Sequence, residues 1–361
     1  MPELQPLPLP PDSGLETKEV WRALTKAHRA LAELKGVCLS LPNPELLVQT
    51  LSLQEAKDSS EIENIITTHD DLYATQRSDL EGLTLAAKEV QSYVKALQDG
   101  FEEVQKSGLI RLETILTLQA RIEPGKPGLR SLPGTMLMND RSGEIIYEPP
   151  QSKIEVEQLM SNLVEYIHDE EGDLDPLLRM AIIHHQFESI HPFYDGNGRT
   201  GRILNILVLV REGLLEFPIL YLSCYINQSK ETYYELLQKV RDEGRWEEWA
   251  LYLLQGIAET ATSEIQLIQD LKTQMQDYKQ RIREGYKFYS QDLLNNLFRY
   301  PYTKIEFIVS ELGVSRPTAT KYLEQLSAGG FLDKKKVGRT NFYVNTPLFK
   351  LLTSLNSPDP R

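Results

Sequence analysis

The chain has 361 residues, of which 41% are hydrophobic and 25% charged, and it carries a net charge of −13. That composition is long and apolar enough for two or three globular domains, and the acidic balance argues against indiscriminate nucleic-acid binding by the molecule as a whole. The two cysteines, Cys38 and Cys224, lie outside any C-x-x-C pair or His cluster, so free thiols are expected rather than disulfides or zinc ligands.

Residues 1–14 are Pro-rich and read as a polyproline arm, with neither the basic nor the apolar region of a signal peptide. From Lys18 to Gly108 the spacing is helical, with Gly36 and Gly100 expected to close two of the helices. Five prolines and four glycines in residues 124–150 exclude a continuous helix there. Within that stretch, 135–150 predicts a short β-hairpin turning near Asp140 to Gly143. Helices resume after it, and Asp175 and Pro176 suit the N-cap and first position of one of them. The segment after residue 202 is apolar on nearly every face, which marks a core helix. It is interrupted by Asn205 and is too short to cross a bilayer, so a cytoplasmic protein with no membrane partner is expected.

Apolar positions at Ile268, Leu271, Met275, Tyr278 and Ile282 alternate steps of three and four, a heptad seam only about two heptads long. Packing against a neighbouring domain is the expected use. From Phe298 to Asn345 the pattern reads helix, turn at Gly313, helix, then two strands, a winged helix-turn-helix with Ser315 capping the second helix. Residues 301–346 hold seven Lys/Arg against four Asp/Glu. Arg316, Thr318 and Lys321 on that helix, with Lys335 and Arg339 on the wing, are the candidate DNA contacts.

The chemistry concentrates in HPFYDGNGRTGR, residues 191–202. It contains a literal G-x-G-x-x-G, but the residues before it are helical, whereas a dinucleotide fingerprint follows a strand. Gly196, Gly198 and Gly201 instead let backbone amides approach an anion at a helix N-terminus. Arg199 and Arg202, three apart, share one face and can grip successive phosphates. Asp195 is a hard oxygen ligand suited to Mg²⁺. His191, as a neutral imidazole, can take a proton from an incoming hydroxyl. The combination implies a triphosphate, Mg²⁺ and a nucleophile deprotonated by His191.

The stretch is similar to the Fic family pattern H-x-F-x-[DE]-G-N-G-R-x-x-R at every fixed position: His191, Phe193, Asp195, Gly196, Asn197, Gly198, Arg199 and Arg202. By this resemblance the chain looks like a protein adenylyltransferase, moving AMP from ATP to a Ser, Thr or Tyr hydroxyl of a protein, itself included, and releasing pyrophosphate. The resemblance implies His191 as base and Asp195 as Mg²⁺ ligand. It gives the α-phosphate to Asn197 and the loop amides, and the β- and γ-phosphates to Arg199 and Arg202, with Thr200 and Gly201 among the nucleotide contacts. Phe193 would anchor the loop. The hairpin becomes a flap that pairs with the target's backbone, at Glu144, Ile145, Ile146 and Tyr147.

Upstream, SSEIEN at residues 59–64 resembles the family's inhibitory motif [ST]-x-x-x-E-[GN] through Ser59, Glu63 and Asn64. Ser59 and Glu63 are i and i+4 and are expected on one helix face. Glu63 would then pair with Arg202 and stand where a γ-phosphate oxygen belongs. In some relatives the same Glu supports AMP removal.

Tyr225, Tyr233 and Tyr234 are candidates for stacking on adenine, with Tyr234 the choice, although aromatics at helical spacing commonly serve a core. His184 and His185 read as packing residues rather than metal ligands.

The expectation is a mainly α protein: a Fic-type helical core with a β-hairpin flap, plus a small C-terminal winged-helix domain. Residues 1–110 form a regulatory region carrying the inhibitory motif, 111–262 the catalytic core, 263–297 a linking helix and 298–361 the winged helix. A homodimer and DNA binding through the C-terminal domain are carried as partners. A transcription regulator using the core as a nucleotide sensor, a de-AMPylase, and a transferase using UTP or another donor remain alternatives.

Overall fold

The computed structural model describes residues 4–9, 14–41, 44–68, 84–138, 143–169, 172–337 and 340–354. The chain divides into two units, one of residues 1–35, 52–66 and 89–261, the other of 36–51, 67–88 and 262–361.

The first unit is built around helix α7, Asn197–Arg211, whose Ile203, Leu204, Leu207 and Leu209 are fully buried. It packs on α6, Pro176–Ile190, and on α4, Leu112–Ile122, while α5, Lys153–Ile167, lies against α6. α6 starts as expected: Asp175 accepts the Leu177 N–H at 2.9 Å, Pro176 follows it, and the second carboxylate oxygen meets His28 at 2.8 Å. The arm is packed at Leu7, whose backbone makes two hydrogen bonds to the Asn162 amide, of 2.7 and 2.9 Å.

Two expected helix ends are not ends. α1 runs Lys18–Leu39 and passes through Gly36, carrying Cys38 on into a fully buried position. α3, Leu85–Ser107, passes through Gly100. A Cβ there would sit 2.8 Å from a Leu118 methyl and 2.9 Å from a Leu207 methyl. Glycine is there to let α4 and α7 come close, not to stop the helix, and packing outweighs its helix cost of about 1 kcal/mol. α2, Pro44–Ile62, carries the motif residue Ser59.

The hairpin consists of β1, Leu137–Met138, and β2, Ile145–Tyr147, antiparallel with an irregular register. Its expected turn falls largely at 140–142, outside the described residues.

After the short helix α8, Ser223–Gln228, come α9, Lys230–Glu243, and α10, a 40-residue helix from Trp246 to Gly285. Residues 263–285 are therefore the end of a longer helix, and α11, Gln291–Arg299, is separate. In the second unit the heptad seam is used for packing: Tyr278 meets Phe298 and Phe331 edge-on at 5.1 and 5.2 Å, and its hydroxyl donates to the Phe331 carbonyl at 2.9 Å.

Beyond it lie β3 (Tyr302–Thr303), α12 (Ile305–Leu312), α13 (Arg316–Ala328), β4 (Asp333–Val337), β5 (Thr340–Val344) and α14 (Thr346–Ser354), with sheet order β3-β5-β4. Gly313, at φ 64°, ends α12, and Ser315 caps α13. Among the described residues no helix is long and apolar enough to cross a membrane.

Candidate active site

The 191–202 loop joins α6 to α7 and is held in shape by its own backbone. His191 ends α6 in the left-handed region, φ 48° and ψ 58°, where a non-glycine residue is strained. Phe193 is fully buried against Phe187. Both polar atoms of the Asn197 amide are spent on Phe193: Oδ1 accepts its N–H and Nδ2 donates to its carbonyl, each at 2.9 Å. The main-chain N–H groups at the start of α7 have no partner within the helix.

The three loop glycines do different work. Gly196 takes φ 79°, a turn that L side chains avoid. A Cβ at Gly198 would collide with Glu63 and with Arg202. One at Gly201 would meet Glu188 at 2.7 Å and Phe187 at 3.0 Å, so Gly201 serves the close crossing of α6 and α7. Thr200 is also fully buried. Thr200 and Gly201, expected among the nucleotide contacts, turn inward because they lie on the helix face that packs.

Both arginines are already engaged. Arg202, 3% exposed, donates from Nε to the Ser59 hydroxyl at 2.7 Å, and from Nη2 to the Ser59 carbonyl at 2.8 Å and the Glu63 carboxylate at 2.9 Å. Burial disfavours its charge, but Glu63 above all, with Tyr233, Tyr93 and Glu188, raises its pKa. Arg199 is equally buried and is held by Glu89 at 3.2 Å and Glu123 at 2.5 Å, with Asp195 at 3.7 Å. Glu89 comes from α3, so each arginine has a carboxylate partner supplied from before residue 110. α2 is itself pinned, since buried Glu55 accepts from the Tyr93 hydroxyl at 2.9 Å and the Ser223 hydroxyl at 2.5 Å.

Glu63 stands one residue past the end of α2, rather than within it. Asn64 follows with φ 62°, and Ile65 N–H closes back on the Ser60 carbonyl at 3.0 Å. Asparagine and glycine are the residues that tolerate this left-handed turn, which explains the last position of the motif. Burial opposes the charge on Glu63. Arg202, Arg199 and His191 outweigh it and hold its carboxyl below the ordinary value.

His191 is pushed down to about 4 by burial, then by the cations Arg241 and Arg130, with Glu63 and a hydrogen bond to the Glu188 backbone carbonyl acting the other way. It is a neutral imidazole at pH 7, as a base must be. Asp195 is exposed, and its Oδ1 accepts the Gly196 N–H at 2.7 Å. An exposed carboxylate of this kind is a hard oxygen donor of the type that suits Mg²⁺.

Several neighbours were not visible in the sequence. Arg130, 1% exposed, donates from Nε to the His191 carbonyl at 2.8 Å, and from Nη2 to the Ile190 carbonyl at 3.2 Å and to the Pro150 carbonyl. Arg241 is half-buried, and its guanidinium lies 4.1 Å from the centre of the Tyr147 ring. It also donates to the Ser189 hydroxyl at 3.0 Å and the Glu188 carbonyl at 3.3 Å. Glu188 is buried, with Oε1 unpartnered, and is pushed up to about 7 by burial, against the pull of Arg202.

Of the flap residues, Ile145 and Ile146 are exposed, and Glu144 beside them is too. Tyr147 turns inward onto Arg241 and is not free for a target. Tyr234 is exposed and meets Tyr233 edge-on, whereas Tyr233 is buried with its hydroxyl 2.9 Å from His184. His184 and His185 are core residues, as expected: burial pushes His184 down to about 3, and Trp249 stacks on it. In the second unit Arg316 pairs with Glu306 at 2.7 Å, while Lys321 and Lys335 are exposed. Thr318 shares its hydroxyl with Ser315 at 2.9 Å, and Arg339 lies outside the described residues.

Three family profiles match the chain: Fic/DOC family N-terminal over residues 21–102, Fic/DOC family over 109–209, and protein adenylyltransferase SoFic-like, C-terminal domain, over 274–348. Protein adenylyltransferase fic-1 of Caenorhabditis elegans is 40% identical over 68 residues, 19% of this chain and 13% of that protein. A probable protein adenylyltransferase of Aquifex aeolicus is 38% identical over 85 residues, 24% of this chain and 26% of that protein. The matched stretches thus span only 13% and 26% of the length of these relatives. A Fic family protein of Desulfovibrio desulfuricans G20 shares the fold at TM-score 0.61 and 18% identity, covering 94% of this chain and 98% of that one. Fic-1 of C. elegans does so at TM-score 0.53 and 20% identity, covering 71% and 74%.

Proposed function

The chain belongs to the Fic/DOC family, and on that premise we propose that it transfers AMP from ATP to a hydroxyl of a protein, in a site held shut by its own Glu63. The reading rests above all on the Arg202–Glu63 contact at 2.9 Å, which puts a carboxylate on the guanidinium best placed for a terminal phosphate. The relatives named as protein adenylyltransferases support the reaction class.

The main-chain N–H groups opening α7 receive the α-phosphate, and the helix dipole favours its charge. His191 takes the proton of the acceptor hydroxyl, whose oxygen bonds to the α-phosphorus as the bond to pyrophosphate breaks. Asp195 would hold Mg²⁺, and the ion's chemistry there would be to neutralise phosphate charge. Arg130 contributes by fixing the carbonyl of strained His191. When Glu63 leaves, Arg202 keeps its two bonds to Ser59 and gains a free donor for the γ-phosphate.

The test is transfer from ATP labelled in its α-phosphate, comparing wild type, Glu63→Gly, and Glu63→Gly with His191→Ala. Label that appears with the first change and vanishes with the second supports both chemistry and latch. No label in any of the folded proteins overturns the reaction.

A further inference from the structure

Two buried or half-buried cations flank His191, and neither has a salt-bridge partner among the described residues. Each reaches from the flap strand or the residues just after it to the end of α6. Arg130 joins the Pro150 carbonyl, just beyond β2, to the carbonyls of Ile190 and His191. Arg241 joins the Tyr147 ring, inside β2, to the Ser189 hydroxyl and Glu188 carbonyl. Both cations act electrostatically on the Tyr147 phenol and on the His191 ring. The groups that face His191 are therefore Arg130 and Arg241 on one side of the balance, Glu63 and the Glu188 backbone on the other.

We propose that Arg130 and Arg241 form a two-sided clamp that registers the target-docking strand β2 to His191, making them positioning residues for the acceptor half of the reaction. The inference rests on the AMP-transfer reading for its role and on these contacts alone for its existence. Four physical points carry it. Cations placed on the carbonyls that end a helix are favourable. The ring contact of Arg241 adds a cation–π attraction that a surface arginine would lack. The contact also explains why Tyr147, alone of the three β2 residues, is buried. An acceptor hydroxyl presented by a strand must come within hydrogen-bond reach of the imidazole, and a misplacement of about 1 Å costs about a hundredfold in rate.

The experiment uses the full chain in the Glu63→Gly background, with Arg130→Met, Arg241→Met and Arg241→Lys. Amide hydrogen exchange is read at 145–147 and 188–191, against α5 as the internal control. Each Met variant is expected to raise exchange at both segments together, by about tenfold, with α5 unchanged and with Arg241→Lys recovering part of the protection. Self-labelling should fall about a hundredfold in the Met variants. Binding of ATP, read by equilibrium dialysis of the labelled nucleotide, should change less than about threefold, because the phosphate-binding groups are untouched.

Exchange that rises at one segment only, or ATP binding that falls in step with transfer, overturns the clamp. If the Glu63→Gly parent neither labels itself nor binds ATP, the AMP-transfer reading fails by itself, and the exchange result still decides whether the two arginines couple strand to helix.

Discussion

Replacing Glu63 by Gly should sharpen ATP binding and leave ADP binding nearly alone. Glu63 touches Arg202 through one charge-assisted hydrogen bond of 2.9 Å, whereas both Ser59 contacts to that guanidinium are independent of residue 63. Such a bond contributes about 1.5–3 kcal/mol. The Glu63 side chain is 34% exposed, so solvent screening moves the figure to about 1–2 kcal/mol. That corresponds to about 5- to 30-fold tighter binding of ATP. ADP lacks the phosphate that competes with the carboxylate and should gain no more than about twofold.

Titration calorimetry with each nucleotide and Mg²⁺ reads both numbers. The same variant should melt at a lower temperature without ligand, since Arg202 keeps its buried charge and loses its counter-ion. ATP should restore that loss. An equal gain for ADP and ATP would refute the reasoning, because Glu63 would then be blocking the pocket as a whole rather than competing for Arg202.

Three further outcomes are expected. Asn197→Ala strands two buried backbone groups of Phe193 and should cost about 2–5 kcal/mol in denaturant unfolding. Folded Glu188 keeps its proton to about pH 7 whereas the unfolded chain releases it near its ordinary value, so this group disfavours folding increasingly as pH rises through that window. Glu188→Gln should therefore gain on wild type across it, by about 3 kcal/mol at most, and a stability difference between the two proteins that stays the same at both ends of the window would contradict this. Folded His191, down at about 4, refuses a proton that the unfolded chain accepts from its ordinary value downward. The transfer rate should accordingly hold its acid limb near pH 4, and Arg241→Met should move that limb upward. A limb at the ordinary imidazole value in the unmutated loop would show that the ring is not shielded.

The loop was legible in the sequence because its information is local. Twelve adjacent residues hold the candidate base, the candidate acidic ligand, the glycines and both arginines. Glu63 was legible through a second local pattern. Arg130, Arg241, Glu89 and Glu123 were not, since each reaches the site from tens of residues away and a single Arg or Glu reads as surface until the fold buries it. Gly36 and Gly100 misled for a related reason. A glycine at the end of a periodic stretch looks like a stop, and only the Leu118 and Leu207 methyls facing Gly100 show that it is a close crossing. Asn197 was named for the α-phosphate through the family resemblance alone. That its amide is spent on Phe193 depends on a turn geometry that pattern reading does not contain.

The left-handed turn at Asn64 makes the latch a matter of phase. Successive residues of an α-helix advance about 100° around its axis. One residue inserted or removed between Ser59 and Glu63 would swing the carboxylate away from Arg202 by that angle with no change in its chemistry. Unwinding the last turn of α2 would do the same. Glu63 therefore acts like the tooth of a gear, effective at one setting and idle at the next, and a shift of one residue step would release Arg202 as fully as removing the side chain.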